Sequence, residues 1–289
     1  MAKKDITSWA LFIILSLIWG SAFILMKRTS DDLTGWQIGA IRITAAGLIF
    51  LPMAVFHIRK VPLNKIHLII LSGLLGNLFP AFLFAIAIEK KIDSSLAGIL
   101  NSLTPLFVIV IGIFFFKMKV QNKKIAGVLV GFIGLLILSL SQGSVTINDY
   151  SFTLLILLAT LMYGINVNIV GNYLKEIDPL KIATVSMAII AIPASIVTWQ
   201  QGVFTLIMNN EEALYSTGIV VLLGIAGTAI ATALFYMLIQ RSGSLFASLV
   251  TYAIPIVAIF WGFLYGEDIT VIQVGCLGLI LGGVYLANR

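Results

Sequence analysis

The stretch 94-SSLAGILNSLTPLFVIVIGIFFF-116 decides the reading of this chain. It is an apolar run of the length that crosses a bilayer, about 20 residues, and it carries Pro105 near its middle. Proline has no N–H, so the carbonyl of Asn101, four residues back, loses its helical partner. In a membrane helix such a loss is tolerated where a neighbour, a water or a ligand takes up the freed group. Ala97, Gly98, Asn101, Thr104, Pro105, Val108 and Gly112 recur at steps of three and four and fall on one stripe. That stripe is small and polar in a helix otherwise built of Ile, Leu, Phe and Val. About 150 residues later the pattern returns in 245-LFASLVTYAIPIVAIFWGFLY-265, with Ser248, Thr251, Pro255, Ala258 and Gly262 on one face. Pro105 maps on Pro255, Asn101 on Thr251 and Gly112 on Gly262, so both prolines are expected to break their helices near mid-membrane.

The rest of the chain has the same character. Of its 289 residues 60% are hydrophobic and 10% charged, whereas a soluble domain carries about 25% charged residues. Such a composition cannot cover a surface facing water, so the expected solvent is lipid. Ten apolar runs are long enough to span: residues 8–26, 35–57, 66–88, 94–116, 123–141, 152–174, 180–200, 215–239, 245–265 and 270–287. The expected fold is therefore an all-α membrane protein of ten transmembrane helices. Its connections are short; the longest polar stretch, residues 200–214, carries Glu211 and Glu212. The first run exceeds the roughly 7–15 residues of a signal h-region and ends in Lys27-Arg28, so no cleavable signal is expected. The net charge of +6 is spread over short loops rather than clustered, which argues against a nucleic-acid partner.

Loop charges orient the chain. With the N-terminus in the cytoplasm, 13 Lys and Arg fall inside and 4 outside, Arg42 lying within a span. Ten spans return the C-terminus to the same side. The two halves also match span by span. Ser16, Trp19, Gly20 and Phe23 of the first answer to Thr160, Tyr163, Gly164 and Val167 of the sixth. Gly73, Gly76, Asn77, Pro80 and Phe84 of the third answer to Gly224, Gly227, Thr228, Ala231 and Phe235 of the eighth. Five is odd, so the second copy enters the membrane from the opposite side. Two inverted five-helix repeats are expected, over residues 1–147 and 148–289, as in several secondary transporter folds.

Several of these segments resemble a known family. Trp19-Gly20-Ser21-Ala22-Phe23 followed by Lys27 is similar to the opening motif of EamA-type transporters of the drug/metabolite transporter superfamily. Ile41-Arg42-Ile43-Thr44-Ala45-Ala46-Gly47 resembles the family's second helix, and Ser102-Leu103-Thr104-Pro105-Leu106 and Tyr252-Ala253-Ile254-Pro255 its paired proline helices. Gly266-Glu267 before Gly275 resembles the loop before its last helix. The resemblance covers the whole chain and rests on the order of these motifs. Two points depart from it: Lys117-Met118-Lys119 stands where an acidic residue is frequent, and Arg289 ends the chain almost at the last helix. The resemblance implies a transporter with a central cavity between the repeats, moving amino acids or other small metabolites, often outward.

Arg42 is the only charged residue well inside a span, about 7 residues or roughly 10 Å below the outer end of the second. Three readings stay open. It snorkels to the interface or bonds helix-end carbonyls; it closes a gate with an outer acid such as Asp31, Glu89 or Asp93; or it meets a substrate carboxylate or phosphate. Asn77, Asn101, Thr104, Thr228, Thr232 and Thr251 lie on or beside the small-residue stripes, where they either bond neighbouring helices or line a cavity. Trp19, Tyr163 and Tyr252 offer aromatic walls, and Asn166 and Asn168 are mid-span amides and weaker candidates. Gly127, Gly131 and Gly134, with Gly275, Gly278 and Gly282, are expected to permit close helix packing. His57 and His67 lack carboxylate or cysteine company, and Cys276 is alone, so neither a metal nor a cofactor is expected. Glu267-Asp268 reads as a solvated outer loop.

An enzyme needs paired acids, a nucleophile with its base, or a metal cluster, and the spans offer none. A channel needs a filter from symmetric subunits. A scaffold has no use for two matched proline helices with polar stripes. No phosphate-binding ATPase motif is present, and no group titrating near neutral pH lies deep in a span. The expectation is a multi-pass cell (inner) membrane protein that moves small metabolites by alternating access, as a facilitator or exchanger. A proton-coupled efflux pump is the alternative. Its partners are the lipid bilayer and the substrate; the sequence sets no oligomeric state and is compatible with a monomer.

Overall fold

A backbone surrounded by hydrocarbon must satisfy its own hydrogen bonds, which drives every apolar run into helix. The computed structural model describes residues 5–90, 94–141, 150–264 and 270–288, and among them there is no strand. In chain order the helices are α1 (Ile6–Thr29), α2 (Gly35–His57), α3 (Leu63–Glu89), α4 (Ser94–Asn101), α5 (Thr104–Phe116), α6 (Asn122–Ser141) and α7 (Tyr150–Tyr173). Then follow α8 (Pro179–Gln200), α9 (Val203–Asn209), α10 (Glu211–Ser242), α11 (Ser244–Ser248), α12 (Val250–Leu264) and α13 (Val271–Asn288). Among the described residues six stretches are long and apolar enough to cross a membrane, with shorter apolar stretches beside them. The ten expected runs coincide with these helices, two of them as the split pairs α4–α5 and α11–α12; α9 arises inside the polar stretch. The boundary at 147/148, Asp93, Gly266, Glu267, Asp268 and Arg289 lie outside the described residues.

The ends are set by local chemistry. The Thr34 hydroxyl accepts from the Gln37 N–H at 3.2 Å while the Gln37 side chain accepts from the Thr34 N–H at 2.9 Å, a reciprocal cap that starts α2. Asp178 caps α8 by accepting from the Leu180 N–H at 2.8 Å. Lys117 turns left-handed at φ 53° and lets the Met118 N–H reach the Gly112 carbonyl at 2.8 Å, closing α5.

Two close pairs organise the packing. α2 lies on α8, where a Cβ on Gly47 would stand 2.1 Å from the Ala191 Cβ. α6 lies on α13, where a Cβ on Gly283 would stand 2.4 Å from the Gly131 nitrogen and one on Gly127 2.3 Å from the Ala287 nitrogen. On α13 the contact falls one residue beyond the glycine that the pattern marks. Gly275, Gly278 and Gly282 face open space, and Gly283 makes the contact. Large side chains such as Phe114 and Trp199 cover the outer surface, as suits helices facing lipid.

Chain segments far apart in sequence are tied at both ends of the bundle. At one end the Asp5 carboxylate accepts from Ser8 and pairs with Arg241, which together hold it well below the usual carboxylate range. There the Ser242 hydroxyl also donates to that of Ser8 at 2.7 Å. At the other end the Gly35 N–H donates to Glu89 at 2.8 Å, and the Ser216 hydroxyl donates to Asp32.

Candidate functional site

The site sits where helical regularity fails. α3 loosens into a π turn at Leu74–Leu78 and α10 into another at Ile225–Ile230. Such turns are frequent at functional positions because they shift the register of the side chains that follow. The split between α4 and α5 falls at Ser102 and Leu103, and that between α11 and α12 at Leu249. Between these four irregular places lies a cavity of about 100 Å³. Trp19, Arg42, Asn77, Asn101, Thr104, Tyr163, Asn166, Thr232 and Thr251 line it, so nine of the eleven expected binding residues meet there.

The breaks lie upstream of the prolines. Pro105 occupies the first turn of α5, where its missing N–H has no intrahelical role. The Asn101 carbonyl is taken instead by the Thr104 hydroxyl at 2.6 Å. α12 runs on through Pro255, and the Thr251 hydroxyl donates to the Ser248 carbonyl across the break at 3.0 Å. Neither proline is among the lining residues.

Arg42 reaches the cavity from α2, and its Nε donates to the Thr228 hydroxyl at 2.6 Å. Close approach of α10 makes this contact: a Cβ on Gly224 would stand 2.5 Å from the Arg42 carbonyl oxygen. Thr228 thus positions Arg42 and is not itself among the lining residues. Among the described residues no carboxylate lies in ion-pair contact with Arg42. Of the acids considered as its partners, Glu89 is engaged by the Gly35 N–H, Asp31 is exposed, and Asp93 lies outside the described residues.

Polar groups around Arg42 divide into satisfied and waiting ones. The Thr232 hydroxyl donates to Asn77 Oδ1 at 2.9 Å, and the Asn77 Nδ2 has no partner although the residue is 7% exposed. Asn101, 6% exposed, leaves its Oδ1 without a partner. Trp19 is fixed by donating its Nε1–H to the Gly227 carbonyl at 3.0 Å and by an edge contact with Phe235, ring centroids 5.0 Å apart. Tyr163 stacks on Phe84 at 6.1 Å.

Two expected residues point to other work. Tyr252 does not line the cavity; its hydroxyl donates to the Val128 carbonyl at 2.8 Å and its ring covers Gly131. Asn168 spends its Nδ2 on the Val108 and Gly164 carbonyls, each at 3.0 Å, and binds α7 to α5. One cluster escaped the sequence reading. The Ser72 hydroxyl lies 2.6 Å from Asn166 Oδ1 and 2.9 Å from the Tyr236 hydroxyl, joining α3, α7 and α10 below the cavity wall that Tyr236 helps to form. A hydroxyl-bearing ring next to Phe235 in an apolar run was the available signal.

Taken together, the cavity offers one cation, amide donors and acceptors, hydroxyl oxygens and aromatic faces, in a bundle of apolar helices. Two relatives match over most of their own length. A protein of Archaeoglobus fulgidus named an uncharacterized transporter is 23% identical over 287 residues, covering 97% of this chain and 98% of that one. An Escherichia coli K12 protein named the uncharacterized inner membrane transporter YedA is 22% identical over 278 residues, covering 95% and 88%. A solved crystal structure aligns with a TM-score of 0.71 at 18% identity over 97% of this chain and 96% of its own, a likeness of fold. The pattern of the EamA-like transporter family matches twice, over residues 7–140 and 151–289. With nearly the whole chain covered, this multi-pass membrane protein belongs to the EamA-like transporter family.

Proposed function

We propose that the protein is a secondary transporter of amino acids or related small metabolites, working by alternating access as a facilitator or exchanger and running outward from the cell (inner) membrane. The observation that carries this reading is Arg42 in a central cavity with no carboxylate paired to it among the described residues. A charge at that depth is costly without a partner, and a substrate carboxylate supplies one in transit.

Ten membrane helices in two inverted five-helix repeats, over residues 1–147 and 148–289, are part of the proposal. Reciprocal packing supports it. α1 packs on α12 as α7 packs on α5; α1 packs on α10 as α7 packs on α3. Both third helices carry a π turn, both fourth helices are split, and the family pattern matches once in each half. Alternating access then follows as rocking of one bundle on the other about the cavity. We also propose that both termini are cytoplasmic, from the 13-to-4 imbalance of loop Lys and Arg. Tags at both ends are expected to resist protease added to intact cells; cleavage of either tag reverses the orientation.

The driving force is expected to be the substrate gradient. Glu89, the acid nearest to a coupling role, is held at the start of α2 by the Gly35 N–H rather than in the cavity. In proteoliposomes loaded with a metabolite mixture, efflux should proceed with no imposed pH gradient or voltage. Accumulation driven by protons and lost in Glu89→Gln sinks the facilitator reading and makes the protein a proton-coupled pump.

A further inference from the structure

The charge inventory of the cavity points to the class of substrate. Arg42 brings one positive charge, and among the described lining residues it is the only charged side chain. A buried charge is costly unless paired, so the loaded site is balanced by a ligand carrying one net negative charge.

The hydrogen-bond inventory narrows this further. Asn77 Nδ2 and Asn101 Oδ1 are both buried without partners, and such groups cost free energy until something satisfies them. Asn77 Nδ2 is a donor suited to a carboxylate. The hydroxyl hydrogens of three lining threonines are already committed: Thr104 to the Asn101 carbonyl at 2.6 Å, Thr251 to the Ser248 carbonyl at 3.0 Å and Thr232 to Asn77 at 2.9 Å. Each of these oxygens therefore presents lone pairs only. With Asn101 Oδ1 they ask for a donor from the ligand. Trp19 and Phe235 add apolar faces for its body.

Resting on the transport reading above, we propose that the site takes small 2-hydroxy monocarboxylates with an apolar side chain in preference to the 2-amino acids of the same skeleton. A hydroxyl supplies the donor that Asn101 and the threonines lack and adds no charge. An ammonium supplies it too, but brings a second positive charge to a cavity in which no described acid answers it. Aromatic faces return only part of the hydration that an ammonium gives up. A dicarboxylate brings a second negative charge with no second cation.

The test uses the purified full-length protein in proteoliposomes loaded with unlabelled 2-hydroxyisocaproate or, in parallel, with an unlabelled metabolite mixture, and measures exchange with external labelled 2-hydroxyisocaproate, leucine or 2-hydroxyglutarate. Exchange of 2-hydroxyisocaproate is expected to exceed that of the other two by a factor of about ten. Asn101→Asp, which supplies the missing acid, is expected to move the preference toward leucine. Leucine moving as fast as 2-hydroxyisocaproate in the wild type overturns the proposed class and leaves transport standing. So does a result in which none of the three moves while another metabolite does. No flux of any metabolite overturns the transport reading and the class with it. The wild-type comparison decides the matter even where Asn101→Asp fails to fold.

Discussion

Arg42→Gln is expected to cut substrate flux by about a hundredfold or more while folded yield stays within a factor of about two. A hydrogen bond to a charged group contributes about 1.5–3 kcal/mol, and a planar guanidinium makes two to a carboxylate. Losing both is worth roughly two to four decades at ~1.4 kcal/mol per factor of ten. Stability should hardly respond. Among the described residues the Arg42 side chain makes one hydrogen bond, to Thr228, and Gln retains a donor for it while removing a charge that no acid balances. Arg42→Lys keeps the charge and loses the fork, so intermediate flux is expected. The check is flux in proteoliposomes set against monodisperse elution of the same preparation. Wild-type flux in Arg42→Gln returns the residue to a structural role at the membrane interface.

The largest expected loss of folded protein comes from Gly283→Val. The new Cβ would meet backbone, 2.4 Å from the nitrogen and 2.6 Å from the Cα of Gly131, so no rotamer change relieves it. α13 must then move off α6. Overpacking costs about 1–3 kcal/mol where side chains can give way, and here a whole helix has to move, so detergent-stable yield should fall by more than about tenfold. Gly282→Val is the control: that position faces open space, and its yield should match the wild type. Equal yields for the two variants sink the close-packing account of α6 and α13.

How far the sequence could be read follows from what lipid does to patterning. Run length marks the long helices, and α2 spans the same residues 35–57 that hydropathy marks, but it does not show the splits or α9. Rotation was harder. A helix in a bilayer is apolar all round, so the inward face is marked only by small and polar residues. Where those are dense, as at Asn77, Asn101 and Thr104, the residues line the cavity. Where glycines alone marked the face, as on α13, a choice of Gly282 over Gly283 turned the face by one residue, about 100°. Tyr252 was misplaced for the same reason: it is adjacent to Thr251, which lines the cavity, and so looks out the other way toward Val128. The Ser72–Tyr236 contact joins residues 164 apart, and nothing local announces it.

The tie between Asp5 and Arg241 has a consequence for the birth of the protein. Its partners are separated by 236 residues, and the Trp19–Gly227 and Arg42–Thr228 contacts by 208 and 186. At about 5–20 residues per second of synthesis, roughly ten seconds to most of a minute pass between emergence of the first partner and the second. During that interval α1 and α2 wait in the bilayer or its insertion machinery, with the Arg42 guanidinium not yet met by Thr228. The Trp19 and Arg42 contacts of the first half are therefore completed only by the second. Quality control at the membrane has a long window in which to recognise an exposed charge, and the arrival of α10 ends it.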